Sequence, residues 1–332
     1  MRMLLLTRVL KRKWFHLVLL AGLLAPWRLH AMDKVIISHS VQLSATVAPL
    51  FYGIYRGFFR DENIDLEYRI LKTELGVTAM LNGEVDYVYS AGTGIRAAMR
   101  GIPIRVLSFD LERLTHFLMG RPEIKTVSDL KGKIIGVSSF GASADISARA
   151  CLKSLGIDLK NDVTIVAMGS GSIRYKALKN GSVAAIPIPL PENIAMKKEG
   201  FNELCYAGRL FKGAVSGLVA SNQKVQKNPE QVKGMLRGLL RTSRSLAKEK
   251  SQFVEFLVSR LKLERDAAEE TATILIDSQT SNGMIEGDDL QAVIDAERRM
   301  SDIKRPIKPS EVVDYTLLRE VLNQEKKTAN YR

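Results

Sequence analysis

The chain of 332 residues lacks the motifs by which most catalytic sites are recognised in a sequence. It has no Gly-x4-Gly-Lys-Ser/Thr run. Its first predicted strand leads into "HSVQLSAT" instead of the Gly-x-Gly-x-x-Gly turn of a dinucleotide fold. It also has no Gly-x-Ser-x-Gly elbow, and its Ser-x-x-Lys matches lack the partner motifs of a serine hydrolase. These absences argue against nucleotide binding and against the common hydrolase classes.

Histidine and cysteine are also scarce. Only His39 and His116 remain beyond residue 31, which is few for metal or triad chemistry. A solvated or capping imidazole is favoured for His39, and a packed or hydrogen-bonded one for His116. Cys151 and Cys205 are too few for a disulfide framework, so pairing in an exported protein and a buried free thiol both stay open. We expect no metal site, no cofactor and no catalytic residue.

Long apolar runs are absent after the N-terminus, where the first 31 residues differ from the rest. Five basic residues and no acid precede "WFHLVLLAGLLAPW", and small Ala31 stands before a candidate cut. This is the layout of a cleaved secretory signal peptide, and the apolar run is short for a membrane-spanning helix. We therefore predict a signal peptide over residues 1–31 and export to the periplasm, with a retained anchor as the alternative.

Acidic residues are outnumbered, since the formal net charge is +13. Six of the positive charges lie in residues 1–31, which leaves +7 for the remainder. The basic residues there are scattered, with no dense block and no interleaved aromatics, so a solvated basic surface is favoured over nucleic-acid binding.

Beyond residue 33, strand and helix patterns alternate at the spacing of βα units, which indicates a largely parallel sheet covered by helices. The order then begins again, and "AMLNGEVDY" at 79–87 is echoed by "ALKNGSVAA" at 177–185. Two similar α/β lobes are therefore predicted.

Polar, small-residue loops follow several of the predicted strands. Ligands bind at the carboxyl ends of strands in such sheets, and helix N-termini there bind anions through backbone N–H groups. One such loop could be simple helix capping, but four at one end of two lobes favour a binding site. The candidate ligand-binding residues are Ser40, Gln42, Ser90, Gly92, Thr93, Ser139, Gly141 and Ser143.

The segments "YGIYRGFFRDENIDLEY", "AMLNGEVDY", "DLKGKIIGVSSFGAS", "ALKNGSVAA" and "NPEQVKGMLRGLL" resemble, in this order, segments of solute-binding proteins of the nitrate, sulfonate and taurine type. The resemblance covers about residues 34–300. Asn63 stands where that family usually has Gly, and Ala184 where an Asp is common.

The resemblance implies a type II periplasmic-binding-protein fold, an α/β architecture with mixed sheets and a ligand cleft between two lobes. Lobe 1 would comprise residues 33–115 plus 213–332, and lobe 2 residues 118–212, with crossover strands near "HFLMG" and "VSGLV". It also implies capture of a small, anionic solute by hinge closure and delivery to the permease and ATPase of an ABC importer. The membrane would be met only through the permease, and the protein would act as a monomer.

Two other functions remain open at this point. The same pocket could serve a sensory subunit that reports to a receptor. A relative in this superfamily makes a thiamine pyrimidine precursor, but its Cys-rich motif is absent here, which disfavours that enzyme.

Overall fold

The computed structural model describes residues 32–40, 43–140 and 142–330. The predicted signal peptide therefore lies outside the described residues. Within them, no helix combines the length and the apolar character that crossing a bilayer requires.

Twelve β-strands lie along the described chain. They are β1 (Asp33–His39), β2 (Ile64–Ile70), β3 (Tyr87–Tyr89), β4 (Ile104–Val106), β5 (Leu111–Arg113), β6 (His116–Gly120), β7 (Lys133–Val137), β8 (Val163–Ala167), β9 (Ala185–Pro189), β10 (Asn202–Tyr206), β11 (Lys212–Ser216) and β12 (Leu218–Ser221).

Twelve α-helices accompany them in the described ranges. They are α1 (Ala48–Tyr55), α2 (Thr73–Leu81), α3 (Ala91–Met99), α4 (Ser143–Ser154), α5 (Gly171–Lys179), α6 (Glu192–Lys198), α7 (Asn222–Lys227), α8 (Pro229–Lys248), α9 (Lys250–Leu261), α10 (Arg265–Asp277), α11 (Gly287–Met300) and α12 (Thr316–Asn330).

The strands form two five-stranded sheets with the same topology. The first has the order β2-β1-β3-β12-β4, and the second has the order β8-β7-β9-β6-β10. In each sheet three neighbouring strands are parallel to one another. The fourth strand, β12 or β6, is antiparallel both to the third strand and to the fifth. Strand β12 enters the first sheet after the chain has formed the second sheet, and β6 enters the second sheet after the chain leaves the first. The prediction of an α/β fold with mixed sheets is confirmed, whereas the strand spacing alone indicated more parallel pairing.

The sequence echo marks equivalent places in the two sheets. Helix α2 ends at Asn82-Gly83 and leads into β3, and α5 ends at Asn180-Gly181 and leads into β9. Both glycines have positive φ, 78° at Gly83 and 85° at Gly181, where a side chain would strain the backbone. The repeat therefore encodes one helix–turn–strand unit used twice.

The chain passes between the two sheets through a separate antiparallel pair, β5 with β11. Strand β5 precedes β6 of the second sheet, and β11 precedes β12 of the first. The two crossings therefore lie side by side. The strands predicted near "HFLMG" and "VSGLV" correspond to β6 and to the junction of β11 with β12.

Buried apolar residues of the described ranges form three clusters, and one of them extends beyond a single sheet. It joins Tyr52 of α1 and Phe253 of α9 to Phe117 and Ile186 on the second sheet. Tyr52 and Phe253 meet edge to face, with ring centroids 5.2 Å apart. Helices α9 and α10, although late in the sequence, therefore pack against residues of the second sheet.

Cys151 of α4 and Cys205 of β10 form a disulfide, with their Cα atoms 5.8 Å apart. Cys151 is fully buried under the second sheet. Of the two alternatives left open by the sequence, the structure has the paired form.

Candidate functional site

The carboxyl ends of the parallel strands point toward a common region. Strand β1 ends at His39 and β3 is followed by Ser90, while β7 is followed by Ser138 and β9 ends at Pro189. All four residues line one of two adjoining cavities. This is where open α/β sheets bind ligands.

The central cavity has a volume of about 230 Å³ and takes its walls from both sheets and from the crossing strands. Its polar lining consists of His39, Thr46, Ser90, Arg96, Thr115, His116, Ser143, Lys212, Ser216 and Glu297. Burial lowers the pKa of His39 to about 4, so this imidazole is neutral at pH 7. It lies half-buried in the cavity wall, whereas the sequence favoured a solvated or capping imidazole.

The stretch Ser90 to Gly94, interpreted from the sequence as a loop, is the start of helix α3. Ser90 is the N-cap residue, and its Oγ lies 2.9 Å from Oγ1 of Thr93. A Cβ on Gly92 would lie 2.8 Å from Oε1 of Glu297. The helix therefore begins against the cavity wall, and Gly92 permits that close approach.

An ion pair lies in the wall of the central cavity. Nη1 of Arg96 donates to Oε2 of Glu297 at 2.5 Å, and Nη2 of Arg96 donates to Oγ1 of Thr93 at 3.3 Å. Burial raises the pKa of Glu297, while the adjacent Arg96 opposes that shift. The pair fixes the orientation of the guanidinium on α3.

The second cavity, about 670 Å³, adjoins the central one and shares His116 and Ser143 with it. We call it the Arg174 cavity. It is lined by the start of α4, the start of α5 and the end of β9, including Ser138, Ser143, Gly171, Ser172 and Arg174.

Arg174 is 4% exposed, and no described carboxylate forms an ion pair with it. Its Nη1 donates to the carbonyl of Gly169 at 2.6 Å, and its Nη2 to that of Pro187 at 3.4 Å. Its Nε has no hydrogen-bond partner within the described residues. Burial lowers the pKa of Arg174. A buried cation without a counter-ion is costly, and an anion beside it would offset that cost.

His116 lies between the two cavities. Its Nδ1 is buried and has no partner among the residues that the structure describes. Burial, with a smaller contribution from the Arg174 charge, lowers its pKa to about 4. The sequence interpretation of His116 as packed or hydrogen-bonded missed its position at the cavities.

The predicted site residues fall into three groups. Ser90, Gly92 and Ser143 line the central cavity, and Ser143 also lines the Arg174 cavity. Thr93 is buried beside Ser90 at 6% exposure, while Ser40 and Ser139 are exposed and line neither cavity. Gln42 and Gly141 lie outside the described residues.

Charged residues at the cavities were not predicted. Arg96 and Arg174 occur on ordinary helical patterns, in which a surface position is the default. Metal-ligating groups are not gathered at these cavities: no cluster of three or more His, Cys, Asp or Glu that could hold a metal ion occurs in the described ranges.

Residues 44–250 match the family model described as NMT1/THI5 like. The chain belongs to the NMT1/THI5-like family. That assignment agrees with the resemblance found in the sequence segments. No curated protein sequence matches the chain.

Solved structures with the same fold cover most of the molecule. The periplasmic sulfonate-binding protein SsuA from Methylobacillus flagellatus KT is 15% identical, with a TM-score of 0.71, over 89% of this chain and 96% of the other. The aliphatic sulphonate binding protein SsuA from Escherichia coli is also 15% identical, with a TM-score of 0.64, over 86% and 99%. The desulfurization enzyme DSZB has 15% identity and a TM-score of 0.64, over 88% and 99%. The predicted periplasmic-binding-protein fold is therefore confirmed.

Proposed function

We propose that this NMT1/THI5-like protein is an exported solute-binding protein of an ABC importer. In this proposal residues 33–115 plus 213–332 form one lobe and residues 118–212 the other. A small organic anion is held between them without being transformed. The bound protein then presents the anion to a permease and its ATPase, and residues 1–31 direct export to the periplasm.

The buried, unpaired charge of Arg174 is the observation that carries the anion assignment. Two helices begin in the same cavity, α4 at Ser143 and α5 at Gly171. Helix N-termini attract anions through their free N–H groups and the helix dipole. A cation and two helix starts therefore contribute positive potential to one pocket.

Two acidic residues, Glu192 and Glu199, also line this cavity, and neither forms an ion pair with Arg174 in the described part of the chain. Glu199 accepts a hydrogen bond from Tyr175 and pairs with Lys179, 3.1 Å away. Burial raises the pKa of Glu192. Sulfonate and carboxylate groups, which accept several hydrogen bonds at once, suit such a pocket.

The similar structures support solute binding. They include the two SsuA proteins and a ligand-binding component of an ABC-type import system from Staphylococcus aureus, with 14% identity and a TM-score of 0.67 over 87% of this chain and 99% of the other. DSZB shows that the fold also carries catalysis. Both cysteines here are in the disulfide, so this chain offers no free thiol nucleophile while that bond is intact.

The test is a ligand screen by thermal shift and calorimetry on the purified protein, using sulfonates, nitrate, carboxylates and pyrimidines. A ligand at 100 times its dissociation constant stabilises the folded state by about 2.7 kcal/mol. For the ligand found, Arg174→Gln should weaken binding about 10- to 100-fold, since a charge-assisted hydrogen bond is lost. Arg100→Gln is the matched control, because Arg100 is exposed and lines neither cavity.

Two results would count against the proposal. One is that no anion in the screen raises the melting temperature. The other is that Arg174→Gln and Arg100→Gln leave the affinity for the ligand equally unchanged.

A further inference from the structure

A third cavity, here called the Phe211 groove, has a volume of about 650 Å³ and lies between α4, the segment before β11, and α11. Its apolar lining consists of Ile146, Ala150, Leu210, Phe211, Ala292, Ala296 and Met300. Leu210 remains 41% exposed there. An exposed apolar surface of this kind often marks a binding site.

The groove continues the central cavity. Ile146, Phe211, Lys212, Ala296 and Met300 line both spaces. The central cavity in turn shares His116 and Ser143 with the Arg174 cavity. The three spaces therefore adjoin in series, from a cationic end near Arg174 to an apolar end near Phe211.

The charged residues that line the groove are mostly basic: Arg149, Lys153, Lys212 and Arg299, with Asp289 as the acidic member. Lys153 and Arg299 are exposed and form no ion pair with a described residue, whereas Lys212 pairs with Glu112 at 3.1 Å and Asp289 at 3.2 Å. This excess of basic side chains attracts an anionic ligand toward the groove.

We propose that the Phe211 groove holds the apolar body of the ligand whose anionic group lies in the adjoining cavities. This rests on the proposed function and deepens it. The ligand class becomes an organic anion with an extended alkyl or aryl body, instead of an inorganic oxyanion such as nitrate. The groove adds about 650 Å³ of partly apolar space next to a central cavity of about 230 Å³, and pockets that hold an organic ligand bury most of its surface.

A homologous series of n-alkanesulfonates, from ethanesulfonate to octanesulfonate, tests the groove directly by calorimetry on the purified protein. Burying one methylene gives up to about 4-fold in affinity, from about 0.8 kcal/mol per group. The affinity should therefore rise with chain length until the chain reaches the open end of the groove.

Two variants address the groove without touching the anion-binding residues. Leu210→Gln removes apolar lining, and Ala292→Trp fills space that lines only the groove. Both should reduce the gain from long chains while leaving ethanesulfonate binding within about 2-fold, the range expected for distant sites. Leu75→Gln is the matched control, since Leu75 is an exposed leucine, at 58%, on α2.

The outcomes separate the two proposals. Binding of short sulfonates with no dependence on chain length would overturn the groove assignment and leave the anion site intact. A chain-length gain equally reduced by Leu75→Gln would also overturn it. Failure of every sulfonate and carboxylate to bind would overturn the anion site itself.

Discussion

Reduction of the disulfide between Cys151 and Cys205 should lower the stability of the protein. Cys151 and Cys205 are 54 residues apart in sequence and join α4 to β10. The first turn of α4 carries Ser143, which lines both the central cavity and the Arg174 cavity. The cross-link therefore restrains the unfolded chain and also anchors a helix that contributes to the site.

The magnitude follows from the length of the closed loop. In the chain-entropy account, a cross-link that closes a loop of this length reduces the entropy of the unfolded chain. It thereby raises the free energy of the unfolded state by about 4 kcal/mol. The unfolding free energy measured in urea should accordingly be up to about 4 kcal/mol higher for the oxidised protein than for the protein reduced with a phosphine. The reduced protein keeps both sulfur side chains, so this comparison isolates the cross-link.

The double variant Cys151→Ala/Cys205→Ala provides the control. It should unfold at or below the urea concentration of the reduced wild type, since Cys151 is fully buried and its truncation leaves a small cavity. It should not respond to reductant. A difference of less than about 1 kcal/mol between oxidised and reduced wild type would refute the loop-entropy reasoning.

Three further predictions concern the site and its frame. A Cβ on Gly94 would lie 2.6 Å from Cγ2 of Val219. The Gly94→Ala variant should therefore have an unfolding free energy about 1–3 kcal/mol lower, although alanine has the better helix propensity. Equal or higher stability of the variant in urea would contradict this. The pKa of His116 is lowered from 6.5 to about 4, so the unfolded state gains its proton first as pH falls, and stability should be full above pH 6.5 and lost toward pH 4. His116→Gln should flatten that loss by about 3 kcal/mol, and an unchanged pH–stability curve would count against the burial argument. Asp86 accepts a hydrogen bond from the backbone N–H of Ile36 at 2.8 Å and pairs with Lys224 at 2.6 Å. The Asp86→Asn variant should therefore lose about 1–3 kcal/mol of unfolding free energy in urea and keep its affinity for the ligand. A change in binding free energy larger than the change in unfolding free energy would assign Asp86 a binding role.

Local signals account for the parts of the fold that the sequence predicted well. Asn82-Gly83 and Asn180-Gly181 end helices because the residue after a helix end often needs positive φ. Asn63 takes the same left-handed conformation, φ 61°, at the turn before β2. Such signals depend on a few neighbouring residues and can be read along the chain.

The site was less predictable, because its character depends on what surrounds each side chain. Ser90 was identified from its place after a strand, which is a local property. The burial of Arg174 and of Nδ1 of His116 arises from packing between elements far apart in sequence. The start of helix α3 at Ala91 could not be predicted either, because Gly92 and Gly94 in its first turn suggest a loop. Their role is to let the helix approach Glu297 and Val219 closely, which only the folded structure shows.

The apolar cluster that joins α1 and α9 to the second sheet has a kinetic consequence. If the proposed lobes separate to admit a solute, the part of this cluster that must open is the one shared between helix α9 and the second sheet, since Phe253 belongs to the first lobe and Phe117 and Ile186 to the second. Exposing that seam to water would oppose opening. We therefore expect this buried cluster to slow the separation of the two sheets.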